Sequence, residues 1–205
     1  MTTAVQSKVP APAIRMTMRE FQALPEGPPY FEFERGELIP MVSPTSRHQD
    51  LMFVLTRALK DFTLQRRLGR VFFDVDVYLP DDEHGYIPDI TYLSVAKLHL
   101  HHEAGDQKIH GAPDLIVELV STDTHRDRVE KFRAYYDNGV AWYWMVDSKD
   151  LTIEEHQWTP EGYLRTATVA TGEDFRPRLF DGLIINLAAM LKTSLPPANP
   201  QPGTP

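Results

Sequence analysis

The stretch that decides the fold runs from residue 111 to residue 121 and reads GAPDLIVELVS. Its apolar centre is short, rich in β-branched residues and preceded by a proline, a pattern that predicts a β-strand. Two acids stand in this stretch, Asp114 and Glu118. A buried carboxylate costs free energy unless a cation, a hydrogen-bond donor or a metal is its partner. Asp114 has an alternative role as a turn-capping residue after Pro113, and Glu118 has one as a fully paired core residue.

The segments around this strand predict an α/β or α+β domain, in which a mixed sheet is flanked by helices. We expect further strands at residues 71–79, 86–93, 142–146, 151–158 and 163–170, and a hairpin at residues 31–34 and 37–41. Capped or amphipathic segments predict helices at residues 18–24, 46–68, 126–138 and 183–192. Gly69 and Gly139 are expected to end the second and third of these helices.

Length and composition limit the kinds of protein that the chain can be. Its 205 residues suffice for one domain, which we place at residues 16–192, between a flexible N-terminal tail (1–15) and a proline-rich C-terminal tail (193–205). The net charge of −8 excludes a protein that holds nucleic acid by bulk positive charge. The absence of cysteine excludes disulfide scaffolds, thiol nucleophiles and thiolate metal sites. No segment has the roughly 20 apolar residues of a membrane span, and we expect a cytoplasmic protein.

Acids on neighbouring predicted strands indicate a metal site. Asp114 and Glu118 are four residues apart on one strand, about 13 Å at roughly 3.3 Å per residue, and cannot bind one ion together. Asp89 lies on the neighbouring predicted strand, and cross-strand neighbours approach to about 5 Å. Asp89 also follows a proline, so capping a turn is its alternative role. Asp89 and Glu118 are therefore the predicted ligands of a divalent cation, and oxygen ligands favour Mg²⁺ or Mn²⁺ over zinc.

The predicted helix at residues 126–138 adds a cation to this group. Asp127, Lys131 and Tyr135 recur at spacings of four and form a polar stripe along the helix. Lys131 either forms a surface ion pair with Asp127 or turns toward the strand of Glu118. In the second case, its ammonium group orients a metal-bound water or stabilises charge that develops on a phosphate.

The acids, the lysine and further residues of the sequence fall at positions that recur together in one protein family. These residues comprise the block 111–121, Arg126, Asp127, Lys131, Tyr135, Gly139, Val140 and residues 143–147, with Thr17, residues 36–38, His48, Pro88 and Asp89 at further positions. In these residues, from about Thr17 to Glu155, the sequence resembles the Uma2 family, whose members are also described as "putative restriction endonucleases". The resemblance implies a PD-(D/E)xK nuclease core, a restriction-endonuclease-like fold in which a mixed sheet between helices holds Mg²⁺ with an Asp and a Glu.

The resemblance also assigns roles to particular residues. By position, Asp89 is the first acid of the nuclease motif and Glu118 the second. The motif lysine would stand two residues after the second acid, where this chain has Val120. Lys131 is the expected replacement, because the helical stripe can bring it to the same place.

Four further residues are supporting candidates. Glu37 is expected to assist a metal, and His48, near the start of the long helix, is expected to contact phosphate or water. For both, a turn-flanking or surface position is the alternative. Asp127 and Tyr135 support the site through the helical stripe of Lys131.

These observations together predict a metal-dependent endonuclease that hydrolyses phosphodiester bonds of nucleic acid, with DNA as the expected substrate. Local basic surfaces agree with this: residues 57–70 sum to +4 and residues 126–133 to +2, although solvated helix faces are the alternative. Analogy with the fold adds a homodimer. The alternative function is a catalytically inactive nuclease-fold protein that binds nucleic acid or another partner, which Val120 and the net charge of −8 support.

Overall fold

Two mixed β-sheets, flanked by helices, organise the protein. The computed structural model describes residues 15–120 and 126–194. The strands are β1 (Phe31–Glu34), β2 (Glu37–Pro40), β3 (Gly69–Phe73), β4 (Val77–Tyr78), β5 (His84–Tyr86), β6 (Ile90–Ser94), β7 (Ile109–His110), β8 (Leu115–Val120), β9 (Trp142–Asp147), β10 (Thr152–Thr159) and β11 (Gly162–Val169). The helices are α1 (Met18–Gln22), α2 (Ser46–Arg66), α3 (His99–His102), α4 (Phe132–Asp137) and α5 (Leu187–Ser194), with a 3₁₀ turn at Val95–Lys97 and a π-helical segment at Arg126–Lys131 that leads into α4. The predicted tails lie outside the described residues, apart from residues 15, 193 and 194.

The larger sheet has six strands in the order β11-β10-β9-β8-β6-β3, and the smaller has five in the order β2-β1-β5-β4-β7. Each sheet contains one parallel pair, β8 with β9 and β4 with β7, among antiparallel neighbours. The prediction of a mixed sheet flanked by helices is confirmed, with the difference that the strands divide between two sheets.

This division comes from two predicted strands that each break and cross from one sheet to the other. Residues 71–79 form β3 in the larger sheet and β4 in the smaller, with Asp74 in a left-handed conformation (φ 49°) between them. Residues 86–93 fall at the end of β5 and in β6, and Pro88 lies at that break, where it cannot donate to a ladder. The two crossings adjoin, because the Asp74 amide donates to the Asp89 carbonyl at 3.4 Å.

The larger sheet separates two hydrophobic cores. On one face, Leu115, Val117 and Leu119 of β8 pack with residues of α2 and α5. On the other face, Ile116 and Val120 pack with α4 and with strands of the smaller sheet. Because side chains alternate along a strand, Glu118 belongs to this second face.

The long helix α2 and its return to β3 differ in detail from the prediction. The helix begins after Thr45, whose hydroxyl oxygen accepts from the His48 amide at 3.3 Å. It ends at Arg66, and Arg67 rather than Gly69 takes the left-handed conformation (φ 54°). Gly69 is the first residue of β3; its φ of 153° disfavours a side chain, and a Cβ there would lie 2.1 Å from the Leu93 carbonyl oxygen. Close passage of two strands, not helix capping, is the reason for glycine at this position.

The first and last helices of the described chain each begin with a side chain that accepts a hydrogen bond from a backbone amide. A capping box at Thr17 starts α1, since the Thr17 amide donates to the Glu20 carboxylate at 2.7 Å and the Glu20 amide donates back to the Thr17 hydroxyl at 3.3 Å. The last helix starts four residues later than predicted. Ile185 instead forms an antiparallel bridge with Phe175, and the Asn186 side chain accepts from the Ala189 amide at 3.0 Å.

Candidate active site

The structure brings Asp89 and Glu118 together on adjacent strands. Ile90 pairs with Val117 in the antiparallel ladder, so Asp89 and Glu118 are neighbours at one end of it. The Asp89 Oδ2 atom accepts from the amide of Leu119, the residue after Glu118, at 2.6 Å. The two acids that the sequence singles out thus lie side by side at the crossing between the two sheets.

His48 holds the other oxygen of Asp89. Its Nε2 donates to Asp89 Oδ1 at 2.7 Å, and both side chains are largely buried. This hydrogen bond raises the pKa of His48 against the opposing effect of burial. Asp74, which the sequence did not single out, lies nearby at the other crossing; burial and then the Asp89 charge raise its pKa. His48 therefore supports Asp89, and a further carboxylate borders the pair.

Glu118 is buried and receives two hydrogen bonds on one oxygen. Lys131 Nζ donates to Glu118 Oε1 at 3.0 Å, and the Tyr135 hydroxyl donates to the same atom at 2.6 Å. Burial raises the pKa of Glu118 to about 8; the Lys131 charge opposes this, and the Asp89 charge adds to it. Glu118 therefore takes up a proton more readily than an exposed glutamate does, and an added cation would oppose this.

The helical stripe faces inward. Lys131 is 5% exposed, and its Nζ lies 3.0 Å from Glu118, 3.0 Å from Glu32 and 3.9 Å from Asp127. The structure thus has Lys131 turned toward the strand of Glu118 and not in a surface ion pair. Burial alone would lower the pKa of Lys131, but the carboxylates of Glu118 and then Glu32 outweigh it and raise that pKa. Burial raises the pKa of Asp127.

The hairpin β1–β2 contributes acids that sequence reasoning missed. Glu32 and Glu34 both contact Arg126, whose guanidinium donates to Glu32 and, at 2.9 Å, to Glu34. The Glu32 side chain also accepts from the Ile87 amide at 3.1 Å. Burial would raise the pKa of Glu32, but the charges of Lys131 and then Arg126 outweigh it and lower that pKa. The sequence feature that could have indicated these acids is the alternation FEFE at residues 31–34. Glu32 and Phe33 point to opposite faces of this strand, and both are buried.

Two other acids of the sequence analysis are not brought to this group. Glu37 lies at the edge of the smaller sheet and pairs with exposed Arg15 at 3.4 Å. Asp114 accepts from the Ser94 amide, at the end of β6, at 2.6 Å and lies 3.6 Å from Lys97. The basic segment 126–133 is used largely inside the protein, since Arg126 and Lys131 pair with buried acids and Arg128 pairs with Glu154 at 2.9 Å.

The charges of the described cluster favour an added cation. It holds four carboxylates against the cation of Lys131, those of Glu32, Asp89, Glu118 and Asp127. Arg126 is shared between Glu32 and Glu34 beside this cluster. Among the described residues, both hydrogen bonds to Glu118 go to Oε1 and none goes to Oε2. Within residues 15–120 and 126–194, no three His, Asp or Glu side chains are arranged as a preformed metal cage. Oxygen donors from two acids, completed by water and phosphate, are nevertheless a set that Mg²⁺ uses, so Asp89 and Glu118 fit this ion.

Comparison with known proteins places this site in a family. The model of the Uma2 family, described as "Putative restriction endonuclease", matches residues 18–188. The chain belongs to the Uma2 family. The match contains both sheets and every acid of the cluster, so the residues above are those of a Uma2 domain.

A solved structure is similar to this Uma2 chain in fold. It is described as a putative nuclease belonging to DUF820 from Anabaena variabilis ATCC 29413, and it matches with a TM-score of 0.69 and 20% sequence identity. The match covers 86% of this chain and 99% of that one. No curated protein matches the chain. None of the helices in the described part of this Uma2 protein has the length and apolarity needed to cross a membrane.

Proposed function

We propose that the protein is a Mg²⁺- or Mn²⁺-dependent endonuclease that hydrolyses phosphodiester bonds of nucleic acid, with DNA as the first substrate to test. The observation that carries the proposal is the Lys131 ammonium group 3.0 Å from the Glu118 carboxylate, on a strand next to the one that Asp89 precedes. Two acids on neighbouring strands, one of them paired with a lysine, are groups that suit metal-assisted phosphodiester hydrolysis. The nuclease description of the family supports the same reaction.

Two residues of the site are proposed to bind the metal, and two others are proposed to hold these ligands in place. Asp89 and Glu118 would hold the metal, which when bound polarises a phosphate and acidifies a water. His48 keeps the Asp89 carboxylate in place through its 2.7 Å hydrogen bond. Tyr135 does the same for Glu118 at 2.6 Å.

Lys131 acts as a fixed positive charge. The neighbouring carboxylates raise its pKa, so the amine stays protonated and does not remove a proton from water. Its remaining role is to donate a hydrogen bond and to stabilise negative charge on the phosphate. The position of the lysine on a helix, in place of Val120 on the strand, is compatible with this role.

A second candidate function is a nuclease-fold protein that binds nucleic acid without cutting it. The side chains of Glu118 and Lys131 are each 6% exposed and paired with one another, and this closed ion pair favours the second candidate. DNA as the substrate, a homodimer and a cytoplasmic location stay predictions under both functions.

An assay with a matched control separates the two candidates. The parent, Glu118→Gln and Glu155→Gln are incubated with plasmid, single-stranded DNA and RNA in Mg²⁺, Mn²⁺ or EDTA. Glu155 is a fully buried glutamate of β10 that accepts from Thr166 at 2.7 Å, so its variant controls for the loss of a buried charge. We expect metal-dependent cleavage by the parent and by Glu155→Gln, and only the EDTA background from Glu118→Gln. Cleavage that survives Glu118→Gln would refute this site, and binding without cleavage by the parent would support the second candidate.

A further inference from the structure

The lysine of this site is not held by the strand that carries the second acid. The expected strand position is Val120, which is 1% exposed and packs in the second core. Lys131 instead ends the π-helical segment and reaches Glu118 with a long side chain. Fixing such a long side chain costs rotamer entropy, so a lysine on a helix needs a partner that selects one conformation.

Glu32 is that partner by distance and burial. Its Oε1 lies 3.0 Å from Lys131 Nζ, the same distance as Glu118 Oε1. The same Glu32 oxygen accepts from the amide of Ile87, two residues before Asp89. The other Glu32 oxygen binds Arg126 at the start of the π-helical segment. One side chain, 2% exposed, thus joins the helix that carries the lysine to the segment that carries the first acid.

We propose that Glu32 is a positioning residue, which sets Lys131 against Glu118 and holds the segment of Ile87 to Asp89 for the cleavage proposed above. The inference rests on that proposed function. The charge of Glu32 matters as well as its shape. Lys131 Nζ lies 3.0 Å from both Glu32 and Glu118, so Glu32 takes part of the ammonium charge that Glu118 would otherwise receive alone.

The neighbouring Glu34 offers a matched control. It lies on the same strand and binds the same Arg126 at 2.9 Å, and it accepts from the Tyr86 hydroxyl at 2.9 Å. It has no contact with Lys131 among those that the described residues make. Glu32→Gln and Glu34→Gln therefore each remove one charge beside Arg126, and only the first removes a partner of Lys131.

The kinetic test compares these two variants with the parent, each with kcat and KM measured separately. We expect Glu32→Gln to lower kcat by about 10- to 100-fold, the effect typical of removing the partner of a catalytic or metal-binding group, with KM within about threefold. Glu34→Gln is expected to stay within about threefold of the parent in both constants. Equal kcat values for the two variants would overturn the proposal.

A spectroscopic test does not depend on cleavage. The chain has seven lysines, so the ¹H–¹⁵N resonance of the Lys131 ammonium group can be assigned by its absence in Lys131→Met. We expect that resonance to shift or vanish in Glu32→Gln and to stay in place in Glu34→Gln. An unchanged resonance in Glu32→Gln would overturn the proposal, even if the parent cuts no substrate and the proposed function itself fails.

A third variant covers the case in which Glu32→Gln does not fold. Glu32→Asp keeps the charge and shortens the side chain by one methylene, so the ion pair lengthens without the loss of its charge. We expect a folded protein, checked by far-ultraviolet circular dichroism, with a displaced Lys131 resonance and a lowered kcat. Parent values of both quantities in Glu32→Asp would count against a positioning role.

Discussion

The two sheets bring glutamates of similar burial to the site, yet these glutamates behave in opposite ways. Glu118 on the larger sheet is 4% exposed and Glu32 on the smaller is 2% exposed. The pKa of Glu118 rises to about 8, whereas that of Glu32 falls below its ordinary value. Glu32 has two cationic partners, Lys131 and Arg126, while Glu118 shares Lys131 and faces Asp89. The number and sign of the charged partners, not the depth of burial, separate the pKa values of these two glutamates.

The largest expected loss of stability comes from removing Lys131, the cation that Glu118 of the larger sheet and Glu32 of the smaller sheet share. Lys131→Met leaves Glu32 and Glu118 without their common partner, and loss of one member of a buried ion pair costs about 3–5 kcal/mol. Urea unfolding at pH 7, followed by circular dichroism, measures the free energy of unfolding. Lys149→Met, at an exposed lysine, is the control and should change little. A loss below 1 kcal/mol in Lys131→Met would mean that the two sheets are not coupled through this cation.

Because their pKa values shift in opposite directions, the two glutamates are expected to make protein stability depend on pH in two different pH ranges. The folded protein holds an extra proton on Glu118 between the ordinary pKa of 4.5 and about 8, so this group loses stabilising effect as pH rises through that window. As pH rises through this window, the stability of Glu118→Gln should therefore increase relative to that of the parent, with a slope of up to about 1.4 kcal/mol per pH unit. Glu32→Gln should lose stability relative to the parent, because the lowered pKa of Glu32 gives a contribution that is complete above pH 4.5 and disappears only in acid. Urea unfolding from pH 5.5 to 8 checks both, and parallel curves for the two variants would contradict the contrast.

A smaller effect is expected at the support of Asp89. His48→Gln weakens a hydrogen bond to a carboxylate, which costs about 1–2 kcal/mol of unfolding free energy. The pKa of His48 is raised, so this contribution is complete below the ordinary value of 6.5 and is lost as pH rises above it. Unfolding at pH 6 and pH 8 measures the difference. His99→Gln, at an exposed histidine, is the control and should show no such change. An equal pH dependence in both variants would contradict the role of His48 as a support of Asp89.

The smallest effect is expected at the outer edge of the smaller sheet. Glu37→Gln removes an exposed ion pair with Arg15, and such pairs contribute about 0–1 kcal/mol. Both the free energy of unfolding and the cleavage rate should stay at parent values. A loss of cleavage in this variant would restore Glu37 as the metal-assisting residue that the sequence suggests, and would extend the site across the hairpin.

The side of the site that belongs to the larger sheet could be predicted from the sequence. An acid inside an apolar strand, as at Glu118, stands out because hydrophobic neighbours predict its burial. A polar stripe at helical spacing likewise indicates that Asp127, Lys131 and Tyr135 share a direction. Both features depend only on neighbouring residues, so the spacing of residues along the sequence is enough to detect them.

The side that belongs to the smaller sheet could not be predicted in the same way. Glu32 and Glu34 alternate with phenylalanines, which is the ordinary pattern of a half-exposed strand. Their burial depends on Arg126, more than 90 positions along the chain, and on the division of two predicted strands between sheets. The predicted strands at residues 71–79 and 86–93 run through Asp74 and Pro88 without a break, because long-range pairing decides which sheet each half joins.

Gly69 gives the molecule a mutational weakness remote from its chemistry. Any side chain at this position meets the Leu93 carbonyl, and relief of that clash requires the first residues of β3 to separate from β6. The same ladder ends at Phe73 and Ile90, directly before Asp74 and directly after Asp89. We therefore expect a change at this glycine to disturb the strand pair that leads to Asp89 while every acid and the lysine remain in the sequence, so an intact set of motif residues does not by itself identify an intact fold.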